Sequence, residues 1–246
     1  MLKRSYFIFV YLFSWLVFGA VGLALNFFCA LLMLLPNRER HGPAVREIIR
    51  RLFASWSAWL NATRVVQVTW QGPGPAGLVR PAVYVANHPT LIDATVLLAR
   101  LPDAMCIFKP ALLRNPFLAP AAIMGGYASG DTGIDLIHTV AEKVAGGRTL
   151  LIFPEGTRTD TGRPFNPLKP GFALIARRAG VPVQVLIIRA SRDLLPRGRP
   201  LWRIAALPAR VEVLVDQTVD TGPDRTTNEI VADVQRRFAA QLGSTP

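Results

Sequence analysis

From Ser5 to Leu35 the chain carries no charged residue, and Phe, Leu, Val, Ala and Trp fill most positions. About 20 apolar residues span a ~30 Å hydrocarbon layer, and this run is longer, so it predicts a membrane segment. A signal peptide would have a shorter apolar core, roughly 7 to 15 residues, ending in a small-residue cleavage site. Here the run continues through FFCALLMLLP instead. Gly19 and Gly22 lie mid-run. They leave open a kink, or two helical halves dipping in and out of one leaflet. After the polar stretch NRERHGP, the positions Val45, Ile48, Ile49, Leu52, Phe53, Trp56 and Leu60 recur at helical spacing. Arg46, Glu47, Arg50 and Arg51 fall largely off that stripe. Two readings of the stripe stand equal: an interfacial helix in the headgroup zone, or a domain helix packed on a core.

From residue 65 the pattern shifts to short β-type runs alternating with helical stretches. The runs VVQVTW (65–70), AVYVAN (82–87), MCIFK (105–109), TLLIF (149–153), VPVQVLII (181–188) and VEVLV (211–215) predict strands. Helical patterns fall near 92–100, 111–124, 134–146, 170–179 and 225–241. QGPGPAGLVRP (71–81) reads as a loop. The expected fold is α/β, with a mixed, largely buried sheet flanked by helices and an N-terminal membrane helix. The expected organisation is a membrane anchor over 1–40, an amphipathic interfacial helix over 41–64 and one catalytic domain over 65–246.

Charge narrows the partners. The 246 residues carry a formal net charge of +12, which calls for an anionic partner. The apolar N-terminus favours membrane lipid over nucleic acid. The stretch RASRDLLPRGRPLWRI (189–204) is rich in arginine and carries Trp202. It lacks the interleaved aromatics and fold motifs of a nucleic-acid binder, and a membrane-facing loop suits it better than a merely solvated basic face. Arg38, Arg40, Arg46, Arg50 and Arg51 follow the apolar run, against Lys3 and Arg4 before it. That bias places the bulk of the protein on the cytoplasmic face of a bacterial inner membrane. Cys29 and Cys106 have no metal or disulfide spacing and read as small apolar fillers.

The chain has three histidines, and one of them, His88, directly follows a strand in ANHPTLID (86–93). Pro89 is suited to start a helix, which would place Asp93 about one turn into it. Strand ends facing helix starts are where α/β sheets hold ligands. A carboxylate at that distance can fix the imidazole tautomer and stabilise the imidazolium. No G-x-S-x-G and no H-E-x-x-H occurs, so neither a serine nucleophile nor a zinc site is indicated, and a base at His88 would activate a substrate nucleophile. A second cluster, LLIFPEGTR (150–158), again leaves a strand end, with Glu155, Gly156, Thr157 and Arg158. Alone, it reads equally well as a site, with Arg158 offering a planar fork to phosphate or carboxylate, or as a turn with a surface Glu–Arg pair.

Together NHPTLID and FPEGTR resemble the glycerolipid acyltransferase family, the group that includes the 1-acylglycerol-3-phosphate acyltransferases. The resemblance covers residues 65–220 and extends to FKPALLRNPFLAPAAIMGG (108–126), with Lys109, Pro116 and Gly125–Gly126 in the family's places. AGVPVQVLII (179–188), with Pro182 entering a strand, is similar to its last motif. The resemblance implies that His88 is a general base and Asp93 its orienting partner. Asn87, Lys109, Glu155, Gly156, Thr157 and Arg158 would bind the acceptor. The donor would be an acyl thioester on coenzyme A or acyl carrier protein, with no cofactor and no metal. The start of the helix at Pro89 would favour the developing oxyanion.

One departure bears on the acceptor. Members acting on lysophosphatidic acid commonly carry an arginine after the paired glycines, and here none follows Gly126 until Arg148. The variant resembles a subgroup associated with bacterial aryl-polyene lipid gene clusters. The expectation is therefore acyl transfer to a lysophospholipid-like hydroxyl. The alternatives are the same chemistry on a polyene or amino-lipid intermediate, or a catalytically silent membrane scaffold.

Overall fold

A computed structural model describes residues 2–74, 77–108, 115, 119–129, 133–203 and 205–243. The expected Lys109 and Pro116 lie outside these residues, as do 111–114 and 116–118 of the helical pattern near 111–124.

The long apolar run forms one helix, α1 (Leu2–Leu32), unbroken at Gly19 and Gly22. It is long and apolar enough to cross a membrane, and at ~1.5 Å per residue it measures about 46 Å. A 3-10 turn over Arg38–His41 leads into α2 (Gly42–Ala62). The α2 stripe packs inward, burying Val45, Ile49, Trp56 and Leu60. Of the two readings open for that stripe, core packing accounts for these residues, while Ile48 remains exposed. Arg46 departs from expectation, because it too is buried. Its Nε lies 2.6 Å from Asp103 Oδ1, and Nη1 donates to the Gly125 carbonyl at 3.1 Å. A buried guanidinium is tolerated only where such partners offset its lost hydration.

Among the described residues there are seven strands, six of which overlie the predicted runs: β1 (Val66–Gln71), β2 (Val83–Ala86), β3 (Ala104–Phe108), β4 (Ala128–Ser129), β5 (Thr149–Ile152), β6 (Val183–Ala190) and β7 (Ala209–Val219). The two-residue β4 has no counterpart in the hydrophobic pattern. Between and after the strands come α3 (Asp93–Leu98), α4 (Ala119–Met124), α5 (Ile134–Ala145), α6 (Gly171–Ala179) and α7 (Thr227–Leu242). Among the described residues the sheet order is β1-β7-β6-β2-β5-β3-β4, parallel except where β7 runs against β6. This is the expected mixed α/β sheet.

The central strands β2 and β6 are buried on both faces, which explains their continuous apolar runs. Alternation along β2 separates two cores. Tyr84 and Ala86 join a cluster with Trp56, Leu60, Val96 and Leu97, while Val83 and Val85 join one with Val140, Phe172, Ile230 and Phe238. The sheet therefore lies between α1–α3 on one side and α5–α7 on the other. Helix α1 is pinned along its length. Tyr11 Oη donates to the Leu201 carbonyl, Trp59 Nε1 donates to Ser14 Oγ at 2.9 Å, and Asn26 Oδ1 accepts from Ala121 N at 3.0 Å. Its other face exposes Phe9, Leu16, Phe27 and Leu31.

Candidate active site

His88 leaves the end of β2, and Glu155 lies three residues past the end of the adjacent parallel β5. Parallel pairing places both motifs at the same edge of the sheet. His88 Nδ1 lies 2.8 Å from Asp93 Oδ2, and Asp93 is fully buried. The same carboxylate accepts from the backbone N–H and the hydroxyl of Thr90. With both Asp93 oxygens engaged, the imidazole orientation is set by a closed turn rather than by a flexible side chain. His88 is half-buried, and its ring stacks on Phe153 at 4.0 Å between centroids. Among the described residues no hydrogen bond occupies Nε2.

The turn differs from expectation at its start. Residues 89–92 are not helical, and α3 begins at Asp93. The Thr90 N–H that a helix starting at Pro89 would have freed already donates to Asp93. The helix-terminus contribution to an oxyanion site expected at Pro89 therefore falls away.

Two residues expected to bind the acceptor are consumed by the scaffold. Asn87 is 1% exposed, and its amide bridges to β6, with Oδ1 accepting from Ile188 N and Nδ2 donating to Ile188 O. Glu155 is 4% exposed. Its carboxylate accepts from His88 N at 2.9 Å, Thr159 Oγ1 at 2.8 Å and Asn166 N at 2.8 Å. Burial raises the Glu155 pKa above the usual carboxylate value, opposed by those three donors. Thr159 N in turn donates to the His88 carbonyl at 2.7 Å. The backbone of the histidine is thus clamped at both its N–H and its C=O by the second motif.

Gly156, exposed, takes φ +69, where a side chain is strained, and a Cβ there would come within 3.0 Å of Lys169 Nζ. Thr157 and Arg158 are half-buried. Arg158 Nη1 donates to the carbonyls of Leu195 and Pro196 at 3.1 and 3.0 Å, which ties the arginine-rich loop to the site. No pattern in the sequence marks the site roles of Phe153, Thr90, Thr159, Asn166 and Lys169. Thr90 and Phe153 stand inside the two motifs, and their position there is the one signal the sequence carries for them.

On the α3 side, α1 and α2 form the walls of an open cavity of about 660 Å³ with α3, β3 and α4, and Ala94, next in sequence to Asp93, lines it. Phe18, Leu25, Phe53, Ala94, Phe108 and Ala122 contribute to its wall. Ser14 and Asn26 also face it, but their polar atoms are satisfied by Val10 O, Trp59, Gly22 O and Ala121 N, leaving an apolar lining.

Comparison with known proteins bears on this geometry. A lyso-ornithine lipid O-acyltransferase of Pseudomonas aeruginosa is 32% identical over 182 residues, covering 72% of this chain and 66% of that protein. A 1-acyl-sn-glycerol-3-phosphate acyltransferase of Helicobacter pylori is 29% identical over 167 residues, covering 63% and 67%. A chloroplastic 1-acyl-sn-glycerol-3-phosphate acyltransferase of Brassica napus is 31% identical over 123 residues, covering 48% of this chain and 36% of that protein. This chain thus spans 36 to 67% of the length of these relatives. The crystal structure of the 1-acyl-sn-glycerophosphate (LPA) acyltransferase PlsC from Thermotoga maritima shares the fold, with a TM-score of 0.75 at 22% identity over 98% of this chain and 96% of that one. The pattern that defines the Acyltransferase family matches residues 67–189, half of the 246-residue chain and inclusive of both motifs, and the chain belongs to that family.

Proposed function

We propose that the protein transfers a fatty acyl group from an acyl thioester to a hydroxyl of a membrane lysolipid, with His88 as general base. The observation that carries this reading is the His88–Asp93 contact at 2.8 Å, with a large apolar cavity lined by Ala94 and Leu98 of the helix that Asp93 begins. Asp93 holds the proton on Nδ1, so Nε2 is the basic nitrogen. As the acceptor oxygen attacks the thioester carbonyl, its proton passes to Nε2. The C–S bond then breaks, the sulfur leaves as thiolate, and the imidazolium returns the proton to it. The products are an ester and a free thiol, on coenzyme A or acyl carrier protein. No protein nucleophile is needed, because the thiol is already a good leaving group. The scale and apolarity of the cavity suit an acyl chain.

The membrane completes the arrangement. With one face of α1 pinned to the body and the other exposing Phe9, Leu16, Phe27 and Leu31, the helix is read as embedded lengthwise in one leaflet. The arginines after it support a reading of the domain on the cytoplasmic face of a bacterial inner membrane. The lipid acceptor then reaches the site from the same layer that holds α1.

A second acceptor class has its own support. The sequence lacks the arginine after the paired glycines, and one relative is named as acting on lyso-ornithine lipid. An amino-lipid hydroxyl is therefore placed beside lysophosphatidic acid as a candidate acceptor. The test is purified full-length protein with acyl-coenzyme A or acyl carrier protein against a panel of lysolipids, with ester products read by mass spectrometry. Ester formation with a lysolipid supports the reading. Thioester left intact with every acceptor leaves the silent scaffold in its place.

A further inference from the structure

We propose that Lys143 and Arg148, backed by the buried Arg46, form a binding site for a phosphate group at the Gly125–Gly126 turn, at the edge of the sheet opposite His88. The inference is independent of the proposed reaction. Arg148 immediately precedes β5, and Asp103 immediately precedes β3. His88 and Glu155 follow strand ends of the same parallel set, so the two clusters face opposite ways.

Three cations meet at one turn. A Cβ on Gly126 would lie 3.0 Å from Arg148 Nη1 and 3.8 Å from Arg46 Nη1, so both guanidinium groups reach within 4 Å of one point. Lys143 Nζ approaches the Gly126 carbonyl at 3.5 Å. Gly126 takes φ +67, and a side chain there would be strained and would crowd Arg148.

Among the described residues these three cations face two carboxylates, Asp103 and Glu39. Arg46 is satisfied by Asp103 and the Gly125 carbonyl, and its side chain is 4% exposed. It therefore supplies field rather than contact. Arg148 is half-buried, and among the described residues no hydrogen bond or ion pair engages its guanidinium. Lys143 is half-buried, and its pKa is lowered first by burial, then by repulsion from Arg148 and Arg46, with Glu39 opposing. The Arg148 pKa is lowered by burial and then by Arg46, with Asp103 opposing. An anion between Lys143 and Arg148 would relieve this repulsion, and a phosphate offers several acceptor oxygens to an ammonium and a guanidinium at once.

Two sources present that chemistry. A lipid headgroup is one, since Cys29 of α1 packs with Met124 just before the turn, and Leu34 and Leu35 are exposed beyond the end of α1. Free phosphate is the other.

The experiment is calorimetric binding to full-length protein in neutral-detergent micelles. The probes are a short-chain phosphatidylglycerol, the matching phosphatidylcholine as a net-neutral control, and inorganic phosphate. The variants are Lys143→Gln, Arg148→Gln and Arg178→Gln, the last removing the same charge from an exposed site on α6. Wild type is expected to bind phosphatidylglycerol or inorganic phosphate. Lys143→Gln and Arg148→Gln should each weaken that binding by about 10-fold or more, the scale of a charge-assisted contact, while Arg178→Gln leaves it unchanged. Phosphatidylglycerol well ahead of inorganic phosphate identifies a headgroup site, and equal binding identifies a site for phosphate itself. The proposal is overturned if neither anion binds, if Lys143→Gln and Arg148→Gln bind as wild type does, or if Arg178→Gln costs as much. Circular dichroism and melting temperatures matching wild type show that the Lys143 and Arg148 variants are folded.

Discussion

The backbone N–H of His88 donates to the Glu155 carboxylate at 2.9 Å, across 67 residues of sequence. Glu155 is thereby engaged in holding the histidine's backbone, with Thr159 and Asn166 donating to the same carboxylate. Glu155→Ala leaves three donors in a buried pocket, each costing about 1–3 kcal/mol when unpaired. The expected outcome is a lowered melting temperature together with a large loss of turnover, read by thermal melts and thiol release.

Glu155→Gln separates charge from shape. It keeps an acceptor for His88 but turns an amide donor toward Asn166 N. Because burial holds the folded-state pKa of Glu155 above its unfolded value, its favourable contribution is fullest at acid pH and declines as pH rises through the folded pKa. The wild type's stability advantage over Glu155→Gln should narrow as pH rises beyond the usual carboxylate range. Melts of both proteins across that range check the direction.

Ala122 lines the apolar cavity between α1 and α4. Ala122→Phe fills part of that volume, and the expected outcome is a preference for shorter acyl donors with little change on the shortest. Competition between acyl-coenzyme A chain lengths measures it. An unchanged preference would mean that the acyl chain lies elsewhere.

Arg158 ties the loop at Leu195 and Pro196 to the site through one guanidinium nitrogen. Its removal should lower kcat/KM for every acceptor by a similar factor, about 10-fold for two lost backbone contacts of ~1 kcal/mol or less each. A loss confined to phosphate-bearing acceptors would show instead that Arg158 binds the headgroup.

Much of this architecture is legible in the sequence. The strand runs are continuous and apolar because β2 and β6 are buried on both faces, so hydrophobicity alone marks them. The pairing of His88 with Asp93 is local and follows from a spacing of five residues. What the sequence hides is long-range hydrogen bonding. Asn87 reaches Ile188 across 101 residues, and Glu155 reaches His88 across 67, so both read as polar residues beside a site when they are braces within it. Arg46 is hidden for the same reason. Its charge places it off the apolar stripe of α2, and only Asp103 and the Gly125 carbonyl make its burial tolerable. The start of α3 is displaced because Asp93 uses its carboxylate to close the turn at Thr90, a choice that Pro89 does not disclose.

The most direct measurement is thiol release from an acyl thioester by purified protein, with and without a lysolipid acceptor, for wild type, His88→Ala and Asp93→Asn. The account predicts acceptor-dependent release in wild type and its loss by at least 10²-fold in His88→Ala, the scale of general-base assistance, with an equal or smaller loss in Asp93→Asn. Full acceptor-dependent release by a folded His88→Ala protein would contradict it.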